Sequence, residues 1–246
     1  MKLVMLGTSG YYPNERRHTA CFTIPEFGII LDAGTGMFRL TDYLASNELD
    51  IFLSHAHLDH IVGLTYLLGL LHGSDVEKVV LHGEPAKLEA VDKHLYAELI
   101  FGIKPDMEFR PLADEVAVRG DGRVTHFPLE HPGGSVGYRL DWPDHSLAYV
   151  TDTTAAPGVD YIDKIRGVDL LIHECYFPDE LADLAKLRFH SSTSAVAQVA
   201  KDAEVDRLVL VHMNPADSRA DPIDVAKARA IFPETEVGDD RMEVEF

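Results

Sequence analysis

Short apolar runs recur along the chain, and most end in a turn that contains glycine, proline or small polar residues. Such runs are typical of strands, whereas apolar residues spaced three or four apart predict helices. The pattern predicts strands at Lys2 to Leu6, Cys21 to Ile24, Phe27 to Leu31, Asp50 to Ser54, Val79 to Leu81, Val116 to Val118, Arg123 to Phe127, Leu147 to Val150, Val168 to Ile172, Arg207 to Val211 and Glu243 to Phe246. It predicts helices at Met37 to Ser46, from Ile61 to about Leu71, and at Glu84 to Leu99, Ala195 to Lys201 and Pro222 to Ile231.

Four polar residues interrupt this pattern where the strand ending at Ser54 gives way to the next helix: His55, His57, Asp59 and His60. Imidazole nitrogens and carboxylate oxygens suit zinc, manganese or iron. An extended backbone places His55 and His57 on one face, so both can bind one ion. Asp59 and His60 fall on the following turn, which indicates a second ion. A histidine-rich surface loop is the alternative, but four ligands at this spacing after a buried strand favour a metal site.

The motif His-X-His-X-Asp-His resembles the signature of the metallo-β-lactamase fold hydrolases. The resemblance extends over nearly the whole chain. It implies an α/β protein, a four-layer αββα sandwich in which two mixed β-sheets are flanked by helices. It also implies a single hydrolase domain over residues 1–246 and a pair of divalent metal ions, with zinc favoured and manganese or iron as alternatives.

Three further ligands are implied by the resemblance to ribonuclease Z. His131 lies on the glycine-rich turn His131-Pro-Gly-Gly-Ser and corresponds to the third histidine; His126, inside an alternating strand, is the rival. Asp152 follows a strand and is placed to bridge two ions, although alone it would be read as a turn residue. His212 ends the last buried strand. The implied ligand sets are His55, His57, His131 and Asp152 for one ion, and Asp59, His60, Asp152 and His212 for the other.

Other residues are predicted to support the chemistry. His173 and Glu174 resemble the His-Glu box of ribonuclease Z, and His173 is predicted to assist the leaving group as a general acid. Asp59 is predicted to take a proton from the attacking water as well as to bind metal. Residues assigned to ligand support or substrate contact are Asp32, Glu174, His190 and Arg139, with a turn or cap role as the alternative for Asp32 and a polar loop role for His190.

The composition of the chain argues against several classes of binding partner. The formal charge of −19 argues against a long nucleic acid, which is normally held by a basic face. Two cysteines cannot form a disulfide framework or a four-cysteine zinc site. No apolar run reaches the length of a membrane span, and the N-terminus lacks the apolar core of a signal peptide, so we expect a cytoplasmic protein without membrane contact. Relatives of this kind often form homodimers, and the sequence leaves this open.

The resemblance to ribonuclease Z implies a phosphodiesterase that uses a hydroxide bridging two metal ions, and the acidic charge favours a small anionic or nucleotide-type phosphodiester as its substrate. His131 and Asp152 are 21 positions apart, which leaves no room for the long arm with which ribonuclease Z grips transfer RNA. The alternatives are a thioesterase, lactonase or β-lactamase on the same fold, an endonuclease acting on the 3′ end of transfer RNA, or a non-catalytic metal-binding protein.

Overall fold

The computed structural model describes residues 1–246 and separates the chain into two compact units. The N-terminal unit comprises Met1–Asp114 and Asp239–Glu245, and the C-terminal unit comprises Glu115–Gly238 with Phe246. The strands are β1 (Lys2–Gly7), β2 (Cys21–Ile24), β3 (Ile29–Leu31), β4 (Glu48–Phe52), β5 (Lys78–Gly83), β6 (Glu108–Pro111), β7 (Glu115–Val118), β8 (Gly122–Leu129), β9 (Ser135–Asp141), β10 (Ser146–Val150), β11 (Leu170–Glu174), β12 (Arg207–Val211), β13 (Thr235–Val237) and β14 (Glu243–Glu245).

The helices are short. The α-helices are α1 (Leu58–Ile61), α2 (Leu67–Leu70), α3 (Pro85–Ala90), α4 (Ile162–Ile165), α5 (Ala182–Leu187), α6 (Thr193–Asp202) and α7 (Val225–Ile231). Turns of 3₁₀ helix lie at Pro25–Phe27, Thr35–Tyr43, Val62–Tyr66 and Asp179–Leu181, and one π-helical turn lies at Val91–Leu95.

Each unit contains one seven-stranded mixed sheet, and the two sheets have the same pattern of strand directions. The N-terminal sheet runs β14-β1-β2-β3-β4-β5-β6, and the C-terminal sheet runs β7-β8-β9-β10-β11-β12-β13. In both, the first three pairings are antiparallel and the last three are parallel. The parallel strands end at one edge of each sheet, which is where such sheets bind ligands.

The cores explain why these strands form. In the N-terminal unit, Ile30, Ile51 and Leu81 of neighbouring parallel strands pack in one cluster with helical residues such as Leu64 and Leu67. The corresponding cluster of the C-terminal unit joins Ala148, Leu171 and Leu210 to Val196 and Ala200 of α6. Each fully buried aliphatic side chain stabilises its unit by about 1.5–3 kcal/mol.

The long helix predicted up to Leu71 is broken into α1, a 3₁₀ turn and α2. Gly63 lies in the 3₁₀ turn, and its N–H donates to the carbonyl of Ala33 at 2.7 Å. A Cβ at this position would lie 2.2 Å from the carbonyl oxygen of Gly34, so the helix can make this approach only with glycine. The contact of Gly63 with the turn after β3 therefore interrupts the regular helix that the apolar spacing predicts.

Two other helix predictions are corrected. Met37 to Ser46 forms a 3₁₀ helix over Thr35–Tyr43, and the segment from Glu84 is helical only to Leu95, where a π-helical turn ends it. The N-terminus of α6 is capped by Asp179, which accepts a hydrogen bond from the Ser194 N–H at 2.8 Å, whereas the side chain of the N-cap residue Ser192 makes no capping hydrogen bond.

The predicted fold class is confirmed, since the chain forms two mixed sheets of seven strands with flanking helices. The single domain over residues 1–246 stays a prediction. None of the helices has the length and apolar character needed to cross a membrane.

Candidate metal centre

Asp32 organises the potential ligands of the N-terminal unit. It follows β3, has a left-handed backbone at φ 55° and is fully buried. Its Oδ1 accepts the Ser54 N–H at 2.7 Å, while its Oδ2 accepts the Ser54 hydroxyl at 2.7 Å and the Nδ1 of His60 at 2.8 Å. One buried carboxylate thus joins the turn after β3 to the end of β4 and the start of α1.

These bonds determine which nitrogen of each histidine carries the proton. The Ser54 hydroxyl has one hydrogen, which it donates to Asp32, so its oxygen accepts the Nδ1–H of His55 at 3.0 Å. His60 likewise donates its Nδ1–H to the carboxylate. Both rings therefore keep the lone pair on Nε2, which is the atom that binds a metal when the other nitrogen is held in this way.

The remaining two predicted ligands of this unit lie beside that pair. The His55 ring is 4.5 Å from the His57 ring and 4.3 Å from the His60 ring, measured between centroids. An oxygen of Asp59 lies 3.4 Å from Nε2 of His60 and accepts the backbone N–H of Tyr11 at 2.7 Å. All four residues of the motif thus lie between the end of β4 and the first turn of α1.

Asp152 has the corresponding central place in the C-terminal unit. It follows β10, is buried, and has a left-handed backbone at φ 48°. Its Oδ1 lies 3.1 Å from Nε2 of His212 and its Oδ2 lies 3.4 Å from Nε2 of His131. Nδ1 of His131 faces the carbonyl of Phe189 at 3.3 Å, which leaves the Nε2 lone pair toward Asp152. The rival candidate His126 lies within β8, opposite Tyr138.

His190, predicted to support the ligands or contact substrate, lies close enough to Asp152 and His212 to be a possible metal ligand itself. It offers a ring nitrogen within 4.8 Å of ligand atoms from Asp152 and His212. Its Nδ1 is 3.1 Å from a carboxylate oxygen of Glu174, which is fully buried and also accepts the Thr153 N–H at 2.9 Å. The ring of Tyr176 stacks on His190 at 4.7 Å with an interplanar angle of 17°. His190 is therefore held on its edge and on its face.

His173 lies elsewhere, which corrects its predicted place beside the substrate. It is fully buried, donates its Nδ1–H to the carbonyl of Glu174 at 2.8 Å, and accepts the Tyr161 hydroxyl at Nε2 at 2.9 Å. Burial lowers the pKa of the His173 ring below its ordinary value. The cause is strand alternation: His173 shares the helix-covered face of β11 with Leu171, while Glu174 points to the other face.

Arg139 also has partners other than the predicted substrate. Its guanidinium binds the carboxylate of Asp141 at 2.9 Å and donates to the carbonyls of Lys164 and Arg166 at the end of α4. It pairs with Ala148 across β9 and β10, four residues before Asp152. Arg139 therefore fastens the end of α4 to the sheet.

The residues that each unit gathers suit metal ions. Neutral imidazoles with a fixed lone pair and carboxylate oxygens match the ligand chemistry of zinc, and the hydrogen bonds to Asp32 and Phe189 are of the kind that orient ligand histidines. The sequence interpretation missed Ser54, Tyr11 and Tyr176. Of these three, only Ser54 could have been found from the sequence, because its hydroxyl lies between the end of an apolar strand and the predicted ligand His55.

Comparison with known proteins places this chemistry in a family. Residues 28–213, well over half of the chain and including every predicted metal ligand, match the family described as the Beta-lactamase superfamily domain, so the chain belongs to that family. It is 28% identical to a ribonuclease Z of Trichodesmium erythraeum over 310 alignment positions, which cover 100% of this chain and 95% of that protein.

Solved structures agree on the fold. The metallo-beta-lactamase fold protein YhfI from Bacillus subtilis matches with a TM-score of 0.84 at 20% identity, covering 100% of this chain and 99% of that chain. Human tRNase Z, short form, matches with a TM-score of 0.76 at 20% identity, with the same coverage. The protein is thus a metal-dependent hydrolase of the metallo-β-lactamase fold, in its ribonuclease Z-like branch.

Proposed function

We propose that the two units form one catalytic domain and that their clusters together hold two metal ions. One ion would be held by His55, His57, His131 and Asp152, and the other by Asp59, His60, Asp152 and His212. The observation that carries this proposal is the carboxylate of Asp152, whose two oxygens face different histidines, one from each set. A ligand that bridges two ions must offer one oxygen to each of them, and the carboxylate of Asp152 can do this.

Zinc is the ion we propose, because imidazole and carboxylate donors match its preferences; manganese and iron have overlapping preferences. When bound, the ions would lower the pKa of water and neutralise charge on the substrate. Residues of the chain would carry out the two proton transfers. Asp59, positioned by the Tyr11 N–H, accepts a proton from the attacking water, and His190, positioned by Glu174 and Tyr176, donates a proton to the leaving oxygen.

We propose a small or nucleotide-type phosphodiester as the substrate. Relatives named ribonuclease Z support phosphodiester chemistry. Two observations support a small substrate. The alignment has 310 positions for the 246 residues of this chain, so 64 positions hold residues of the relative alone. The formal charge of −19 disfavours a long polyanion.

Cleavage at the 3′ end of transfer RNA is the second candidate, because a relative that aligns with this chain over 95% of its own length bears the name ribonuclease Z. The smaller substrate is favoured over transfer RNA by the 64 aligned positions that this chain lacks and by its negative charge. We also propose a cytoplasmic location, since both cysteines are free and buried. The homodimer stays a prediction.

Metal analysis combined with a substrate panel tests the proposal. The purified protein should contain two ions per chain and should hydrolyse bis(p-nitrophenyl) phosphate in preference to a thioester or a lactone. Asp152→Asn retains a residue type that tolerates the left-handed backbone, so it should fold but lose both metal and turnover. Two bound ions with preferred turnover of the thioester or lactone would refute the phosphodiesterase. Two ions without any turnover would favour a metal-binding protein, and wild-type metal content in Asp152→Asn would refute the bridging role.

A further inference from the structure

We propose that Tyr11 forms a platform on which a planar aromatic group of the substrate stacks, so that the preferred phosphodiesters carry an aryl group or a nucleobase. The inference rests on the proposed function, because it concerns the part of the substrate that is attached to the reacting phosphate. It names a specificity residue that the metal-ligand motifs do not contain.

The position of Tyr11 connects it to the site. Its backbone N–H donates to Oδ2 of Asp59 at 2.7 Å, so the residue that carries the ring is in direct contact with a proposed metal ligand. A phosphodiester bound at the ions would carry two ester substituents, and we infer that the substituent on the Asp59 side reaches the ring of Tyr11, because the backbone of Tyr11 contacts Asp59 directly.

The surface around Tyr11 is aromatic and apolar. Tyr11 is 72% exposed, and Tyr12 packs against it edge to face with 5.2 Å between ring centroids. Leu58, which directly precedes Asp59, is 69% exposed. Apolar side chains next to polar ligands are characteristic of substrate pockets, where the apolar part binds the organic group and the polar part fixes orientation.

The loop that carries the ring is held in place. Ser9 donates its N–H to the carbonyl of His18 at 2.8 Å, and the Ser9 hydroxyl lies 3.2 Å from the carbonyl oxygens of both Gly10 and Tyr12 and can donate to either. Buried Arg17 donates to the hydroxyl of Thr8 at 2.6 Å. A ring on a fixed loop loses little conformational freedom when a ligand stacks on it, so more of the stacking energy contributes to binding.

The backbone of Tyr11 argues against a purely structural role for the side chain. Its φ of 60° lies in the left-handed region, which glycine or asparagine adopts at lower cost. Strained positions of this kind cluster at functional sites. A nucleobase or aryl group fits this surface better than a protein does, because two rings and one leucine are far smaller than a specific protein interface.

Binding measurements with matched ligands test the platform. Stacking of a base on an aromatic side chain corresponds to about a 5- to 150-fold change in affinity. The zinc-loaded protein should bind phenyl phosphate more tightly than methyl phosphate by a factor in this range. Tyr11→Asn, which tolerates the left-handed backbone, should abolish the preference, and Tyr11→Phe should retain it. Leu99→Asn removes another exposed apolar side chain of the same unit and should leave the preference unchanged.

Turnover separates this inference from the proposed function. Bis(p-nitrophenyl) phosphate and methyl p-nitrophenyl phosphate share a leaving group and differ in the group that is retained. We expect a preference for the first that Tyr11→Asn removes. Equal use of both esters by the wild type, or an equal loss for both in Tyr11→Asn, would overturn the platform but leave the phosphodiesterase standing. Hydrolysis of neither ester would refute the phosphodiesterase, and the two binding constants would still decide whether Tyr11 recognises an aromatic group.

Discussion

Asp32 illustrates how one side chain can control metal affinity without touching metal. Its carboxylate fixes the proton of His60 on Nδ1 and, through Ser54, that of His55. Asparagine tolerates the left-handed backbone at this position but presents an N–H to one of these partners. A ring that meets an amide donor must accept there and place its own proton on Nε2, which can no longer bind a cation.

We therefore expect Asp32→Asn to lower zinc affinity by about 10- to 100-fold, measured by competition with a chromogenic chelator. Asp50→Asn is a matched control, because Asp50 pairs with the buried His82 of the same sheet at 2.9 Å and lies outside the proposed site. Equal losses in the two variants would point to general destabilisation in place of control over the His60 tautomer.

His190 should act as a proton donor and not as a ligand. His190→Ala is expected to lower kcat by about 10²- to 10⁴-fold on an alkyl ester, because an alkoxide needs a proton to leave. The loss should be much smaller for a p-nitrophenyl ester, whose leaving group is weakly basic. Loss of one ion per chain from this variant would contradict the assignment, since His190 lies within reach of Asp152 and His212.

The sequence predicted which residues could take part in the site better than it predicted the contacts that each residue makes. His55, His57, Asp59 and His60 could be proposed from the sequence because few other roles explain such a spacing after a buried strand, whereas His131 and His212 were proposed from the resemblance to ribonuclease Z. His173 was misplaced because its neighbour Glu174 belongs to the site, and consecutive strand residues point to opposite faces. Alternation along β11 excludes one of the two from the site, but only the contact between Glu174 and His190 shows which.

At the scale of elements, the helix breaks depend on single close approaches. Gly63→Ala would place a methyl group 2.2 Å from the Gly34 carbonyl oxygen, so we expect a loss of unfolding free energy on the order of 3 kcal/mol. Gly69, in the next turn, has open space around the position of a Cβ. Gly69→Ala should stabilise by about 0.5–1 kcal/mol in the same denaturation experiment. Similar values for both variants would show that Gly63 is not required by packing.

Strand β11 makes stability depend on pH through His173. Burial lowers the pKa of this ring, so in the folded protein it stays neutral at a pH where the unfolded chain takes up a proton. The stabilisation is present above the unfolded pKa of about 6.5 and is lost as the pH falls below it. The unfolding free energy should thus fall less between pH 7.5 and pH 5 in His173→Phe than in the wild type. Metal release in acid affects both proteins, so an identical fall would contradict the prediction.

Most of the strands were predictable because they bury a short apolar run between turn residues, which is a local signal; β13, with only three residues, was not predicted. The helices were not, since their limits follow contacts between segments far apart in sequence. Gly63 meets the turn after β3, and Asp179 caps α6 from 15 residues away. Nothing in the spacing of apolar residues records such contacts. The same holds for the pairing order that gives both sheets three antiparallel and three parallel connections.

At the scale of the whole molecule, the formal charge of −19 should determine how substrates of different size respond to salt. Proteins that bind nucleic acid through a basic face lose affinity as salt rises, because bound counterions are released. An acidic protein repels a polyanion, and salt screens that repulsion over a Debye length that falls from about 10 Å at 0.1 M to about 3 Å at 1 M.

The sign of the salt effect therefore distinguishes the two candidate substrates. For a single-stranded oligonucleotide, kcat/KM should rise between 50 mM and 500 mM sodium chloride, while for bis(p-nitrophenyl) phosphate, which carries one charge, it should change little. A transfer-RNA endonuclease would behave in the opposite way, with a steep fall for the long substrate. Because both substrates would meet the same proposed ions and the same His190, a difference between their salt profiles would report on the surface around the site and not on its chemistry.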